Sequence, residues 1–524
     1  MSGSKDFTID IRDFVTPSPT TNRTVKRRWM PENLVDKSSA FISEWTPFAL
    51  VVSYFVFSTC LYTYCSEGLI AIFWFMYMCT NFYIAGMTVL EAFMSIAPCR
   101  EARKIVTQAE ERGWLFPTAH NKLLVLDLLI VAYLPNEKDI IMDRALYALE
   151  QIDYPRDKIR ITILYNTPHS IEPLETELHQ LPLQYPHARV IKVPNSTSKA
   201  DNLNHFFTLD TGSDLIAIYD CDHYPHPNGP RWAVERFMAD PEIDIVQGRC
   251  VVFNTEDSFL ASMIAVEFDK IYAVSHPGRA TMWGFGLFCG SNGYWRSSLL
   301  RELRMDGDML TEDIDSALRA FSRGSKTVHD LNVTSYELAP TTLPAFWKQR
   351  LRWAQGWAQA SMKHVKMVYN KPSQPLHEDY NRTFTARFGV LSLLLIREAS
   401  YYLVTQYTCL VLSFVITKFP RSGQELWKFV YFQYPVSQWL FLIRFVFPHS
   451  RFNVSLTRPY HSVVCLLATL WITNQVKSEF ISRKTLIIFS FQYPAYLVLM
   501  ATIGLYGHAR QIVKYNSWNP TARK

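Results

Sequence analysis

Glycine is scarce in this chain, 19 residues in 524, and neither G-x-G-x-x-G nor G-x-x-x-x-G-K-[ST] occurs. The glycine-rich loops that mark a dinucleotide fold or a P-loop are therefore not written here. Nine cysteines form no C-x-x-C pair and no Cys/His metal spacing, and five of them (Cys60, Cys65, Cys79, Cys409, Cys465) fall in apolar stretches. That argues against a disulfide framework and against a zinc site. A net charge of +6 is small for this length and gathers beside the apolar stretches. It fits attraction to a membrane surface and leaves no basic stripe for nucleic acid. No internal repeat is visible, and the first apolar run starts too far from the N-terminus for a cleavable secretory signal.

What is abundant is apolar and aromatic side chain, 48% and 14% of the residues. Residues 47–64 and 69–90 carry no charge, and about 20 such residues cross a hydrocarbon core. Similar stretches lie at about 391–416, 429–447, 461–476 and 485–507, interrupted by Arg397, Glu398 and Arg444. Charges inside a membrane span face protein or a water-filled path. Lys26, Arg27, Arg28 and Lys37 precede the first span and Arg100, Arg103 and Lys104 follow the second, so both flanks are expected in the cytosol. The expected organisation is a partly disordered cytosolic lead (1–46), two spans (47–95), a cytosolic domain (96–365), interface helices (366–390), about four spans (391–508) and a cytosolic tail (509–524). Sequons at Asn195 and Asn332 carry no meaning on the cytosolic side.

Within the middle domain, short apolar runs at 122–134, 159–166, 188–194, 214–220 and 243–253 alternate with helix-length segments. This pattern predicts an α/β domain with a doubly wound parallel sheet, where ligands bind beyond the C-terminal strand ends. At one such end "DCDH" places Asp220 and Asp222 two apart. Two hard carboxylates suit Mg²⁺ or Mn²⁺ on a diphosphate, although D-x-D after a strand is also ordinary turn chemistry. Lys199 in "SKADNLN" would add a cation at a helix start. "MLTEDIDSAL" places Glu312 and Asp313 after Thr311 in N-cap style; a carboxylate there serves as a general base or simply favours the helix start. "QRLRW" offers Gln349, Arg350, Arg352 and Trp353, a set that suits a diphosphate and a pyranose face or, equally, a helix at the lipid boundary.

Taken in order, D-x-D, TED and Q-x-x-R-W followed by membrane spans resemble the processive family 2 glycosyltransferases, the cellulose, chitin and hyaluronan synthases, including fungal-type members. "SKADNLN" is similar to that family's "KAGALN", "LFCGSNGYWR" to its "FFCGS" acceptor loop, and "AYLPNE" to its first nucleotide-binding turn; the resemblance covers about residues 122–365. It implies a GT-A-like cytosolic domain inserted between transmembrane helices, a nucleotide-diphosphate sugar donor, a divalent cation and an inverting transfer. Asp220 and Asp222 would hold the metal, Asp313 with Glu312 would supply the base, and Gln349 and Arg352 would meet the leaving diphosphate. Cys289, Gly290 and Trp353 would hold the acceptor, while Tyr133 and Glu137 would lie along base and ribose. Asn166 departs from the family's Asp at the uracil position, which loosens the expectation of uridine. The product implied is a β-linked polysaccharide, from UDP-glucose or UDP-N-acetylglucosamine, passed through the plasma membrane along a path to which Arg397, Glu398 and Arg444 would contribute. The lipid bilayer is an expected partner, and no protein partner is named. A single transfer to a membrane lipid, as in glucosylceramide synthases, is the alternative, and a scaffold or transporter with an inactive domain is the alternative of another class.

Overall fold

The computed structural model describes residues 32–371, 375–376, 382–417, 422–424 and 471–513. Its centre is an eight-stranded sheet: β1 (Leu126–Tyr133), β2 (Ile159–Asn166), β3 (Ala188–Lys192), β4 (Leu215–Asp220), β5 (Tyr224–Pro225), β6 (Ile243–Val252), β7 (Gly293–Arg296) and β8 (Lys326–Glu337). The strand order is β3-β2-β1-β4-β7-β6-β8-β5. β1 pairs in parallel with β2, Leu126 opposite Ile159, and with β4, Leu126 opposite Leu215.

Because successive residues of a strand point to opposite faces, β1 feeds two separate cores. Leu126, Leu128 and Ile130 join Ala145, Leu149 and Phe237 on one side, and Leu129 and Val131 join Leu203, Phe206 and Ala317 on the other. Burial on both faces explains why β1 reads as a nearly unbroken apolar run. Its one acid, Asp127, is fully buried and paired with Arg160 at 2.8 Å.

The expectation of an all-parallel sheet is corrected. β7 lies between β4 and β6 and is antiparallel to both, and β5 is antiparallel to β8. All five expected strands exist, but β5, β7 and β8 were not foreseen. β7 has only four residues, and β8 runs "KTVHDLNVTSYE" with little apolar alternation, so neither announces itself by periodicity.

A third core joins the helix Phe259–Asp269, the helix Leu343–His364 and the helix Arg483–Ile512 through Ile264, Phe346, Leu351 and Ile503. Among the described residues, the stretches long and apolar enough to cross a membrane are Trp45–Tyr64 and Phe384–Thr417, with Arg483–Tyr493 and Ala495–Ile512 forming a pair bent by 59°. The break falls at Pro494, which cannot donate to the preceding turn. The 69–90 stretch lies in the helix Glu67–Met94. The expected span at 429–447, most of that at 461–476, and Arg444 fall outside the described residues.

Candidate active site

The carboxyl end of β4 delivers Asp220, partly exposed, and a turn later Asp222, fully buried. Asp220, Asp222 and the buried His223 present ligand atoms within 4.8 Å of one another. His223 is a site residue that sequence reasoning passed over, although the imidazole stands beside the D-x-D pair. It is oriented from behind, with Nδ1 3.0 Å from the Ser335 hydroxyl and Nε2 3.4 Å from the Glu337 carboxylate. Both ring nitrogens are thus engaged, so the imidazole braces the turn while Asp220 and Asp222 present the carboxylate oxygens.

Lys199 begins the helix Lys199–Phe207, capped by the Ser198 hydroxyl accepting from Asp201 N–H at 3.1 Å. Its ammonium donates to Asp220 and, at 2.7 Å, to the Gly290 carbonyl. Burial opposes that charge, but the carboxylates of Asp220, Glu312 and Asp313 outweigh it and hold the Lys199 pKa above the ordinary value. The D-x-D turn and the 289–291 loop are thereby tied together.

That loop is held from below by Gln247, a fully buried amide in the apolar run of β6. Its Oε1 accepts from Cys289 N–H at 2.8 Å and its Nε2 donates to the Ser291 carbonyl at 2.9 Å. Ser291 Oγ in turn accepts from the Asp220 N–H at 3.1 Å. An amide inside an apolar strand was the legible signal, because a buried polar group must find partners. Gly290 has φ +95°, and a Cβ on it would lie 2.7 Å from Asp313 Oδ2. Only glycine lets the loop rest on that carboxylate. Burial and the charge of Asp313 push the Cys289 thiol up, which keeps it in the thiol form and a poor nucleophile.

Glu312 and Asp313 open the helix Glu312–Ser322, with Thr311 before it. Thr311 makes no side-chain cap; instead a Cβ on Gly356 would fall 2.4 Å from its methyl group, so it packs against the helix Leu343–His364. Burial, and then the charge of Asp313, pushes Glu312 up to about 7. Burial also raises Asp313, while Lys199 and Arg352 act in the opposite direction. Two neighbouring buried carboxyls cannot both ionise freely, so both are held above the ordinary carboxylate range.

The helix Leu343–His364 brings Gln349, Arg352 and Trp353 to the same region. Arg352 Nη1 donates to the Leu310 carbonyl at 3.3 Å, one residue before Thr311. The Gln349 side chain is buried, and among the described residues its Oε1 has no hydrogen-bond partner. Arg350 turns the other way. It is buried, pairs with Glu267 at 2.5 and 3.2 Å, and lies 4.4 Å from the centre of the Trp353 ring. Cation and ring are attracted at that distance, so Arg350 supports Trp353 from the back.

The remaining expected residues divide. Glu137 accepts the Tyr133 N–H at 2.6 Å, closing the turn after β1. Asn166 is buried, donating to the Ser196 carbonyl at 3.0 Å and accepting from Asn202 at 2.9 Å. Both ends of its amide are engaged in holding the 196–202 loop. Farther away, Glu398 sits 2.6 Å from His508 and 3.5 Å from Arg397, whose guanidinium lies 4.1 Å from the Trp357 ring centre. These charges knit helices together.

A family model described as glycosyl transferase family group 2 matches residues 215–507. Glucomannan 4-beta-mannosyltransferase 2 of Arabidopsis thaliana is 30% identical over 223 residues, 42% of this chain and 40% of that protein. The UDP-forming cellulose synthase catalytic subunit of Pseudomonas fluorescens is 27% identical over 241 residues, 45% of this chain and 31% of that protein. The chain thus spans less than half the length of these two curated relatives. Among solved structures, the mannosyltransferase PcManGT of Pyrobaculum calidifontis, in complex with GDP-Man and Mn²⁺, aligns over 73% of this chain and 99% of its own at 17% identity and a TM-score of 0.43. The matched region of this chain contains the D-x-D turn, the 289–291 loop, the Glu312–Asp313 helix start and the Arg352 helix, and on that match the chain belongs to glycosyl transferase family group 2.

Proposed function

We propose that this glycosyltransferase moves a sugar from a nucleoside diphosphate donor to a hydroxyl of a growing β-linked polysaccharide, inverting the anomeric carbon. The observation that carries the reading is the contact of Asp313 with Gly290. It sets a carboxylate of raised pKa against the loop that Lys199 ties to the D-x-D turn. Relatives named as a UDP-forming cellulose synthase and a glucomannan mannosyltransferase support a polysaccharide product.

Asp313 takes the proton of the acceptor hydroxyl as that oxygen attacks the anomeric carbon from the face opposite the leaving group. A base whose pKa lies nearer the working pH does this better than an ordinary carboxylate. The donor C–O bond breaks with its electrons going to the diphosphate, where Lys199, Arg352 and the Gln349 amide meet the growing charge. Fixed cations contribute most where charge develops, since they need no reorganisation. Trp353, braced by Arg350, supplies a flat apolar face for the acceptor ring. Asp220 and Asp222, with His223 beside them, offer carboxylate oxygens that fit Mg²⁺ or Mn²⁺. When bound, that cation neutralises diphosphate charge.

The apolar helices Trp45–Tyr64 and Phe384–Thr417 support a membrane protein. The basic flanks at residues 26–28 and 100–104 favour a cytosolic sheet domain, and the resemblance to polysaccharide synthases favours export of the product through the plasma membrane. The test is the whole chain in lipid nanodiscs with a panel of labelled nucleotide sugars and Mg²⁺ or Mn²⁺. A long product cut by linkage-specific hydrolases supports the reading and names the sugar, whereas label confined to a lipid extract replaces it with a glycolipid transferase.

A further inference from the structure

Asp315 lies two residues beyond Asp313 in the helix Glu312–Ser322 and is fully buried. A buried carboxylate needs compensation on every side, and this one has it. Oδ2 accepts from Arg319 Nε at 2.7 Å within its own helix, and Oδ1 accepts from Lys363 Nζ and His364 Nε2, each at 2.7 Å. Lys363 and His364 form the last turn of the helix that carries Gln349, Arg352 and Trp353. The contact continues along that helix toward the site. Lys363 also reaches Asp306 at 2.7 Å, and Gln359 accepts from Leu310 N–H at 3.0 Å and donates to the Asp308 carbonyl at 2.9 Å. Arg352 then donates to the Leu310 carbonyl at 3.3 Å. Near the middle, Gly356 admits the Thr311 methyl group. Residues 306–315 are thus laced to residues 352–364, one segment containing the base Asp313 and the other starting at the leaving-group cation Arg352.

We propose that Asp315, clasped by Lys363 and His364, is a positioning residue that sets the separation of Asp313 from Arg352. The role rests on the transfer reaction proposed above, in which base and leaving-group cation act on opposite sides of one carbon. A charged clasp between the first turn of the helix Glu312–Ser322 and the last turn of the helix Leu343–His364 holds that separation whether or not donor is bound. Misplacing a reacting group by about 1 Å lowers turnover by about 100-fold, so a clasp of this kind acts on the chemical step and not on donor affinity.

The experiment compares the whole chain with Asp315→Asn and Asp315→Glu in nanodiscs, reading hydrogen exchange by peptide, donor binding and turnover. Asp315→Asn is expected to raise exchange in 306–315 and 352–364 while the sheet peptides stay as protected as in the parent. Donor affinity is expected within about threefold of the parent and turnover lower by about 30- to 100-fold, with partial recovery in Asp315→Glu. Exchange that rises everywhere, or not at all in those two segments, overturns the positioning role. Equal losses of donor affinity and turnover overturn it as well. If the parent turns over no donor, the reaction assigned to the site fails, while the exchange pattern still decides whether Asp315 couples the two segments.

Discussion

Asp313→Asn removes one proton acceptor and leaves the shape of the site nearly unchanged, so its consequence can be worked in detail. A positioned general base contributes about 10²- to 10⁴-fold, which is about 3–5 kcal/mol of transition-state stabilisation. Turnover should fall by that factor. Donor affinity should hold or improve slightly, because the diphosphate meets Lys199 and Arg352, and one nearby negative charge is lost. The pH profile supplies a second readout. Burial and the charge of Asp313 hold Glu312 up at about 7, and burial raises Asp313 itself. The base works ionised and its pKa is raised by burial, so kcat/KM of the parent should rise with pH and level off at higher pH than an ordinary carboxylate would give, an apparent value that belongs to the carboxyl pair. In Asp313→Asn the neighbouring charge is gone, Glu312 ionises more easily, and any residual acid limb should move to lower pH. The assay is labelled-sugar transfer in nanodiscs over a pH series, with donor binding measured separately. Turnover within about threefold of the parent, against the 10²-fold minimum expected, would refute Asp313 as the base. Loss of donor binding would refute the division of labour between Asp313 and the cations.

Gly290→Ala should lower turnover by about 100-fold, since the new Cβ would meet Asp313 Oδ2 at 2.7 Å and the backbone sits at φ +95°; a variant retaining most of its turnover would mean that the loop and the carboxylate are not in contact. Asp222→Ala should abolish cation-dependent donor binding, measured with and without chelator, and normal turnover in chelator-treated membranes would show that the metal is held elsewhere. Arg350→Met leaves Glu267 without its bidentate partner and should destabilise the folded chain by about 3–5 kcal/mol. An unfolding midpoint equal to that of the parent would show the ion pair to be dispensable.

The strands and the motifs differed in how openly the sequence declared them. β1, β2 and β4 are buried on both faces, so continuous apolar runs marked them. β7 could not be read because four residues carry no period, and its antiparallel insertion between β4 and β6 joins strands that are far apart in sequence. Asp220, Asp313 and Arg352 could be singled out from sequence because D-x-D, TED and Q-x-x-R-W follow one another in a family's order, although each motif alone is ordinary. The contacts of Asn166 with Ser196 and Asn202 were not legible, since those partners lie 30 and 36 residues away and local sequence gives no sign of them.

The order of D-x-D, TED and Q-x-x-R-W, the apolar stretches and the alternating core residues of β1 were determined by sequence alone, because each follows from residue type and local period. Only the tertiary structure decided which atoms meet. Gly290 lies on Asp313, Gln247 holds the 289–291 loop, His223 joins the aspartates, Arg350 backs Trp353 and Asp315 binds the far end of the Arg352 helix. Those contacts join segments far apart in the chain, and their geometry comes from how sheet and helices pack, a constraint that no local pattern of residues contains.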